Sequence, residues 1–185
     1  MEGFHFGAQP WVYPQPVLII ASYGEDGAPN AMNAAWGGVA DSSRIAMYLS
    51  GGHKTVKNIL KRGAFTVSMG DAEHAAACDY VGIESGNSVP DKVARAGFHM
   101  TKSEHVDAPL IDELPMALEC KVKSFDNGIL VGEIVNVSVD ERALDENGKL
   151  AVEKLHVITF DYANHGYYVL GEKVASAFED GEKFK

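Results

Sequence analysis

The sequence has little cysteine, no long apolar run and no surplus of positive charge. Cys78 and Cys120 are the only two cysteines in 185 residues, and no C-x-x-C occurs. Neither a disulfide framework nor a paired-thiol motif is supported, and a reducing, cytoplasmic setting is the simplest reading. The longest strongly apolar run, residues 17–21, is far too short to cross a bilayer. The N-terminus lacks the basic stretch and apolar core of a secretion signal. Acidic residues outnumber basic ones, 26 to 16, for a net charge of −10. That balance argues against nucleic acid or an anionic membrane as partner. It leaves room for one small phosphate ligand, which needs only local donors.

Several motifs are also absent. There is no G-x-x-x-x-G-K-[ST] run and no strand–G-x-G-x-x-G–helix unit, so neither nucleotide fingerprint applies. The seven histidines form no i, i+4 pair and no H-E-x-x-H, so spacing favours no metal site. Ser85-Gly86 is not part of a Gly-x-Ser-x-Gly elbow.

What is present reads as one mainly β domain over residues 1–185, with an N-terminal arm at 1–15 and a C-terminal tail at 173–185. Strands are expected at 16–23, 30–36, 44–49, 65–69, 117–125, 129–139, 157–160 and 167–170. The turns Glu25-Asp26-Gly27 and Asp126-Asn127-Gly128 mark hairpins. Ile45, Met47 and Leu49 should point one way, and Ala46 and Tyr48 the other. Val56, Ile59 and Leu60 give one apolar face to a helix over 54–62 that stops at Gly63. Asp71 should cap a helix running to about Tyr80 and closed by Gly82. A third, one-turn helix is expected at 90–96. Strands and helices do not alternate as βαβ units, so a barrel with covering helices is expected rather than a doubly wound sheet.

Two stretches could carry chemistry. Leu49-Ser50-Gly51-Gly52-His53-Lys54-Thr55 runs from a strand through glycines into a helix N-terminus. Unpaired backbone N–H groups and the positive end of the helix dipole suit an anion there. Lys54 adds charge, and Ser50 and Thr55 add hydroxyls. The alternative is an ordinary Thr-capped helix with a solvated basic face of Lys54, Lys57, Lys61 and Arg62. On the local sequence alone that alternative is the better one. The second stretch is Asn30-Ala31-Met32-Asn33-Ala34-Ala35-Trp36, where small residues crowd a strand that β-propensity would not choose. Small side chains let a flat ligand reach the backbone. Tight packing between sheets or subunits explains them equally well.

Taken in order, these stretches resemble the flavin reductase-like, FMN-binding split-barrel family, in its flavoredoxin-like branch. The resemblance runs through Pro16-Val17-Leu18-Ile19-Ile20, Gly27-x-x-Asn30-Ala31-Met32-x-x-x-Trp36 and Lys54-Thr55-x-x-Asn58-Ile59. It continues through Tyr80-Val81-Gly82-x-x-Ser85-Gly86, Asp91-Lys92, Ala108-Pro109-Leu110-Ile111, Leu118-Glu119-Cys120-Lys121-Val122, Gly132-Glu133-Ile134-Val135 and Tyr167-Tyr168-x-Leu170-Gly171. Their collinear order, not any single piece, carries the match. It implies a Greek-key type split β-barrel with a few short covering helices, and a homodimer with FMN near the interface. It implies that Asn33, Ala34, Ala35 and Trp36 line the flavin ring and that Ser50, Lys54 and Thr55 hold the phosphate. Ser85, Gly86 and Lys92 would lie on a segment close to the site. His53 departs from the pattern, since many relatives carry Arg there. The charge sits one place on at Lys54, and Lys cannot supply the bidentate fork of Arg.

The leading functional expectation is an oxidoreductase. NAD(P)H, visiting transiently, would reduce FMN, which would pass the electrons to a flavin, an iron–sulfur protein or a small molecule. Such chemistry needs no protein acid or base at the hydride step, so no catalytic residue is named. The alternatives are an FMN electron carrier without direct NAD(P)H oxidation, and a non-catalytic flavin- or haem-binding module. Cys78, on an alanine-rich helix, and Cys120, on a strand, read as packing residues. Tyr167 and Tyr168 read as strand aromatics.

Overall fold

A computed structural model describes residues 3–185. Its centre is an antiparallel sheet of seven strands: β1 (Leu18–Tyr23), β2 (Pro29–Ala34), β3 (Gly37–Asp41), β4 (Arg44–Tyr48), β5 (Ala64–Met69), β8 (Met116–Asp126) and β9 (Ile129–Val139). Their order is β2-β1-β5-β8-β9-β4-β3. This order dictates the shape. The two edge strands, β2 and β3, are consecutive in the chain and joined only by Ala35 and Trp36. A flat sheet of seven strands would hold its edges about 29 Å apart, whereas that link spans at most about 11 Å. The sheet therefore curls until its edges nearly meet. No ladder joins β2 to β3, so the barrel stays split along this seam.

Both faces of the curled sheet are packed. Leu18, Ile20, Met47, Phe65, Val67 and Leu130 fill the interior. Helix α1 (Lys54–Arg62) plugs it with Val56 and Ile59. The outer face carries a second core, which includes Ile19, Ala21, Cys78, Val81, Phe98 and Ile111. Strand β1 serves both, which is why its sequence is a continuous apolar run rather than an alternation. The outer core is covered by α2 (Ala75–Ile83), α3 (Lys92–Arg95) and two small hairpins. One hairpin is β6 (Met100–Lys102) with β7 (Pro109–Ile111); the other is β10 (Ile158–Asp161) with β11 (Gly166–Val169).

The expected β4 alternation is observed: Ile45, Met47 and Leu49 are buried and Tyr48 is 64% exposed. Helix α1 has the expected bounds and is followed by Gly63. Leu60, however, stays 45% exposed, and Thr55 and Asn58 take inward places beside Val56 and Ile59. Asn127 and Gly128 both take positive φ, 48° and 81°, as a two-residue hairpin turn requires.

Other features differ from the sequence reading, including the strand expected over 30–36, which ends at Ala34 and leaves Ala35 and Trp36 in the link. Helix α2 begins at Ala75, because the Asp71 carboxylate accepts from the backbone and ring nitrogens of His74 and folds the chain back before the helix starts. It then runs through Gly82 instead of ending there, since Gly82 is where the helix presses on Asn33: an added Cβ would stand 2.8 Å from Asn33 Cβ. The third helix is shorter than expected, Lys92–Arg95. Strands β3, β6 and β7 were not foreseen. Both cysteines are fully buried and unpaired. Burial pushes each thiol up to about 12, so neither is a reactive thiolate.

Candidate functional site

The split between β2 and β3 opens next to the N-terminus of α1, and a two-part cleft lies there. The first part, about 200 Å³, is bounded by Asn33, His53, Lys54 and Thr55, with Ser85 and Gly86 opposite. His53 occupies the N-cap position with φ −66° and ψ 138°, but its side chain makes no capping hydrogen bond. No acidic residue stands in the first turn. The helix therefore presents uncapped N–H groups to the cleft, which is what an anion seeks. The ordinary Thr cap is not formed. Thr55 is 1% exposed, and its hydroxyl accepts from Asn30 Nδ2 at 2.6 Å.

The basic face of α1 is divided in its duties. Lys61 pairs with Glu25, and Arg62 binds Asp107 and the Gly24 carbonyl, all at the far end. Lys54 makes no salt bridge among the described residues, and it borders the cleft. The loop after α2 is folded over this end by Asn87, whose amide donates to the Gly52 carbonyl at 3.3 Å. Gly86 makes that approach possible: a Cβ there would stand 2.2 Å from Asn30 Oδ1.

The second part, about 300 Å³, continues from the first through Asn33, Gly82 and Ile83. Its floor is Ala34, Ala35 and Trp36 at the seam of the barrel. A row of aromatic rings closes one side. Trp36 meets Tyr162 edge-on at 6.0 Å, Tyr162 meets Phe160 at 6.1 Å, and Phe160 meets Tyr167 at 5.7 Å. The cleft is thus elongated, bordered at one end by the α1 N-terminus, Lys54 and Glu84, and flat and aromatic at the other.

Of the residues expected to bind cofactor, Asn33, His53, Lys54, Thr55, Ser85, Gly86 and Lys92 border the first part, and Asn33, Ala34, Ala35 and Trp36 the second. Ser50 is not among the bordering residues. It is exposed, and its hydroxyl accepts from the Gly52 N–H at 3.3 Å, shaping the glycine turn. Lys92 is 2% exposed and its ammonium donates to the carbonyls of Val81 and Glu84, at 2.7 Å each. It closes the C-terminus of α2, and burial lowers its pKa to about 8. Asn33 uses its amide to bind the Cys78 carbonyl at 3.2 Å, tying β2 to α2.

Residues 12–170 match the family model described as "Flavin reductase like domain". The chain belongs to the flavin reductase-like family. Within this family it stands in the flavoredoxin-like branch, and its fold is the family's split barrel. The flavoredoxin of Desulfovibrio vulgaris (Miyazaki F) is 37% identical, superimposes with a TM-score of 0.93, and pairs 97% of this chain with 100% of its own. The flavoredoxin of Methanosarcina acetivorans is 23% identical with a TM-score of 0.88 over the whole of both chains, a likeness of fold. An uncharacterized protein of Aquifex aeolicus is 27% identical over 158 residues, 80% of each chain. Among the described residues no group of three or more His, Cys, Asp or Glu side chains is placed to hold a metal. No helix among them is long and apolar enough to cross a membrane.

Some residues of this flavin reductase-like site were invisible in the sequence. Asp79 and Phe160 border the aromatic half, and Tyr167, read as a plain strand aromatic, joins them. Gln15 donates from Nε2 to the Ala35 carbonyl at 3.1 Å and so fixes the seam. They come from three distant segments, and only the topology brings them together.

Proposed function

We propose that the protein binds one FMN per chain and works as a flavin-dependent oxidoreductase, taking reducing equivalents from NAD(P)H and passing them to a flavin, iron–sulfur or small-molecule acceptor. The observation that carries this is the uncapped N-terminus of α1, with Lys54 beside it, opening into a cleft that turns flat and aromatic at Trp36. The α1 N–H groups and Lys54 would hold the phosphate, while Ala34, Ala35 and Trp36 would lie along the ring. Bound FMN supplies the hydride and electron chemistry; the protein supplies orientation and electrostatic tuning. Anaerobic mixing of the FMN-loaded protein with NADH and with NADPH is the test. Bleaching of the flavin absorbance with either nucleotide is the expected result. No bleaching, with reduction by dithionite intact, would turn the reading to an electron carrier. The 37% identity to a flavoredoxin over 97% of the chain supports that second reading.

We also propose a homodimer closed over the seam. Strand β3 is a sheet edge with Val39 77% exposed, and Tyr48 beside it is 64% exposed. An apolar groove of about 480 Å³ lies there and shares Ala35 and Trp36 with the ring end of the cleft. An exposed edge with apolar neighbours suits a second copy of the same surface. Light scattering should give twice the chain mass, and Val39→Lys should shift it toward monomer and weaken FMN. A monomeric wild type that binds FMN tightly would contradict this.

A further inference from the structure

The aromatic half of the cleft has one acidic side chain on its border among the described residues, Asp79. On α2, Asp79, Gly82 and Ile83 lie at i, i+3 and i+4, so one helix face supplies all three. The Tyr167 hydroxyl donates to Asp79 Oδ1 at 2.7 Å. Burial first, and the carboxylate second, raise the Tyr167 pKa above its ordinary value, so this hydroxyl stays a donor at neutral pH. Asp79 Oδ2 has no hydrogen-bond partner among the described residues. The carboxylate is therefore held by one oxygen and offers the other, beside a floor of small residues and Trp36.

Asp79 is half-buried, so this second oxygen can accept from a donor that enters the cleft. An oxidised isoalloxazine carries a single ring N–H, the imide at N3, flanked by two carbonyls. Resting on the FMN reading above, we propose that Asp79, oriented by Tyr167, accepts the imide N–H of the flavin and sets the pyrimidine ring's place in the cleft. The fixed negative charge also disfavours added electron density on that ring and so lowers the flavin's reduction potential. Asp79 is then a cofactor-binding residue and Tyr167 a positioning residue.

The test uses FMN and N3-methyl-FMN, which lacks the donor, as paired probes. FMN should bind the wild type about tenfold more tightly than N3-methyl-FMN. Asp79→Ala should weaken FMN about tenfold and leave N3-methyl-FMN unchanged, which isolates the one contact. Asp79→Asn, which keeps the shape and an acceptor for Tyr167, should raise the midpoint potential of bound FMN. Tyr167→Phe should weaken FMN by a smaller factor. Equal losses of both ligands in Asp79→Ala would assign Asp79 to the fold and overturn the proposal. An unchanged FMN affinity and potential would instead turn Asp79 toward a second molecule over the ring, such as the carboxamide of a nicotinamide. Should Asp79→Ala not fold, the wild-type preference between the two probes and the Asp79→Asn potential decide the matter. Failure of the wild type to bind FMN at all would sink the cofactor reading, which is a different outcome from any of these.

Discussion

FMN should bind at least about 100-fold more tightly than riboflavin, which has the same ring and no phosphate. On the proposed reading, the uncapped first turn of α1 and Lys54 would supply at least two charge-assisted hydrogen bonds to the phosphate, each worth roughly 1.5–3 kcal/mol. Two of them amount to about 3–6 kcal/mol, or a factor of about 100 to 10,000 in affinity. Lys54→Ala removes one donor and should weaken FMN by about tenfold while leaving riboflavin nearly untouched. Its side chain makes no salt bridge among the described residues, so the fold should not suffer. Fluorescence-quenching titrations of both ligands against both proteins give the four constants. A Lys54→Ala protein that loses the two ligands equally would show that Lys54 supports the cleft and not the phosphate. Loss for neither would move the phosphate contact to Lys57 or another donor.

Glu119→Ala should cost about 3–5 kcal/mol of stability. Glu119 on β8 is fully buried, and its carboxylate accepts from Ser138 Oγ at 2.5 Å, Asn136 Nδ2 at 2.6 Å and the Ser103 hydroxyl. Removing it strands three donors: the buried Ser103 hydroxyl, worth roughly 1–3 kcal/mol unpaired, and the half-buried Asn136 and Ser138, worth about 1 kcal/mol each. For a chain of this size that corresponds to a melting point lower by about 6–20 °C. Ser103 also accepts from the N–H groups of His105 and Val106, so the β6–β7 hairpin should loosen with it. Acid sensitivity gives a second readout. Burial alone would raise the Glu119 pKa, but the hydrogen bonds from Ser103, Ser138 and Asn136 outweigh it and hold the carboxyl below its usual range. A depressed carboxyl pKa contributes stability above the unfolded value, near 4.3, and loses it as pH falls through the folded value. Glu119→Gln should therefore flatten the loss of stability below about pH 4.3. A variant with the wild-type melting point and acid slope would contradict this account.

The elements that could be read from the sequence were those whose signal is local. Helix α1 follows from the period of Val56 and Ile59 and the stop at Gly63; the β8–β9 hairpin follows from Asn127-Gly128. Strand β4 is legible because one of its faces is buried and the other wet. Strand β3 is not, because Gly37, Gly38 and Asp41 are poor strand formers and only pairing with β4 makes them one. Gly82 reads as a helix stop until its contact with Asn33 is known. The strand–glycine–helix stretch that brings His53, Lys54 and Thr55 to the cleft was legible, whereas Asn33 and the Ser85-Gly86 loop reach the same cleft from separate segments. Lys92 was linked to the site by resemblance, yet its ammonium is engaged by α2. Asp79 could not be found at all, since an acid on a short helix looks like a solvated residue until Tyr167, 88 positions later, reaches it.

The knot at Gln15 makes one site depend on segments more than 120 positions apart. Gln15 bonds the Ala35 carbonyl through its side chain, and its backbone is stitched to Thr159 and Phe160. The aromatic wall adds Tyr162 and Tyr167. Without residues 158–167 folded back, the cleft has its α1 end but lacks the aromatic wall of Phe160 and Tyr167. Residues 158–167 therefore decide when residues 33–36 become the floor of a closed cleft.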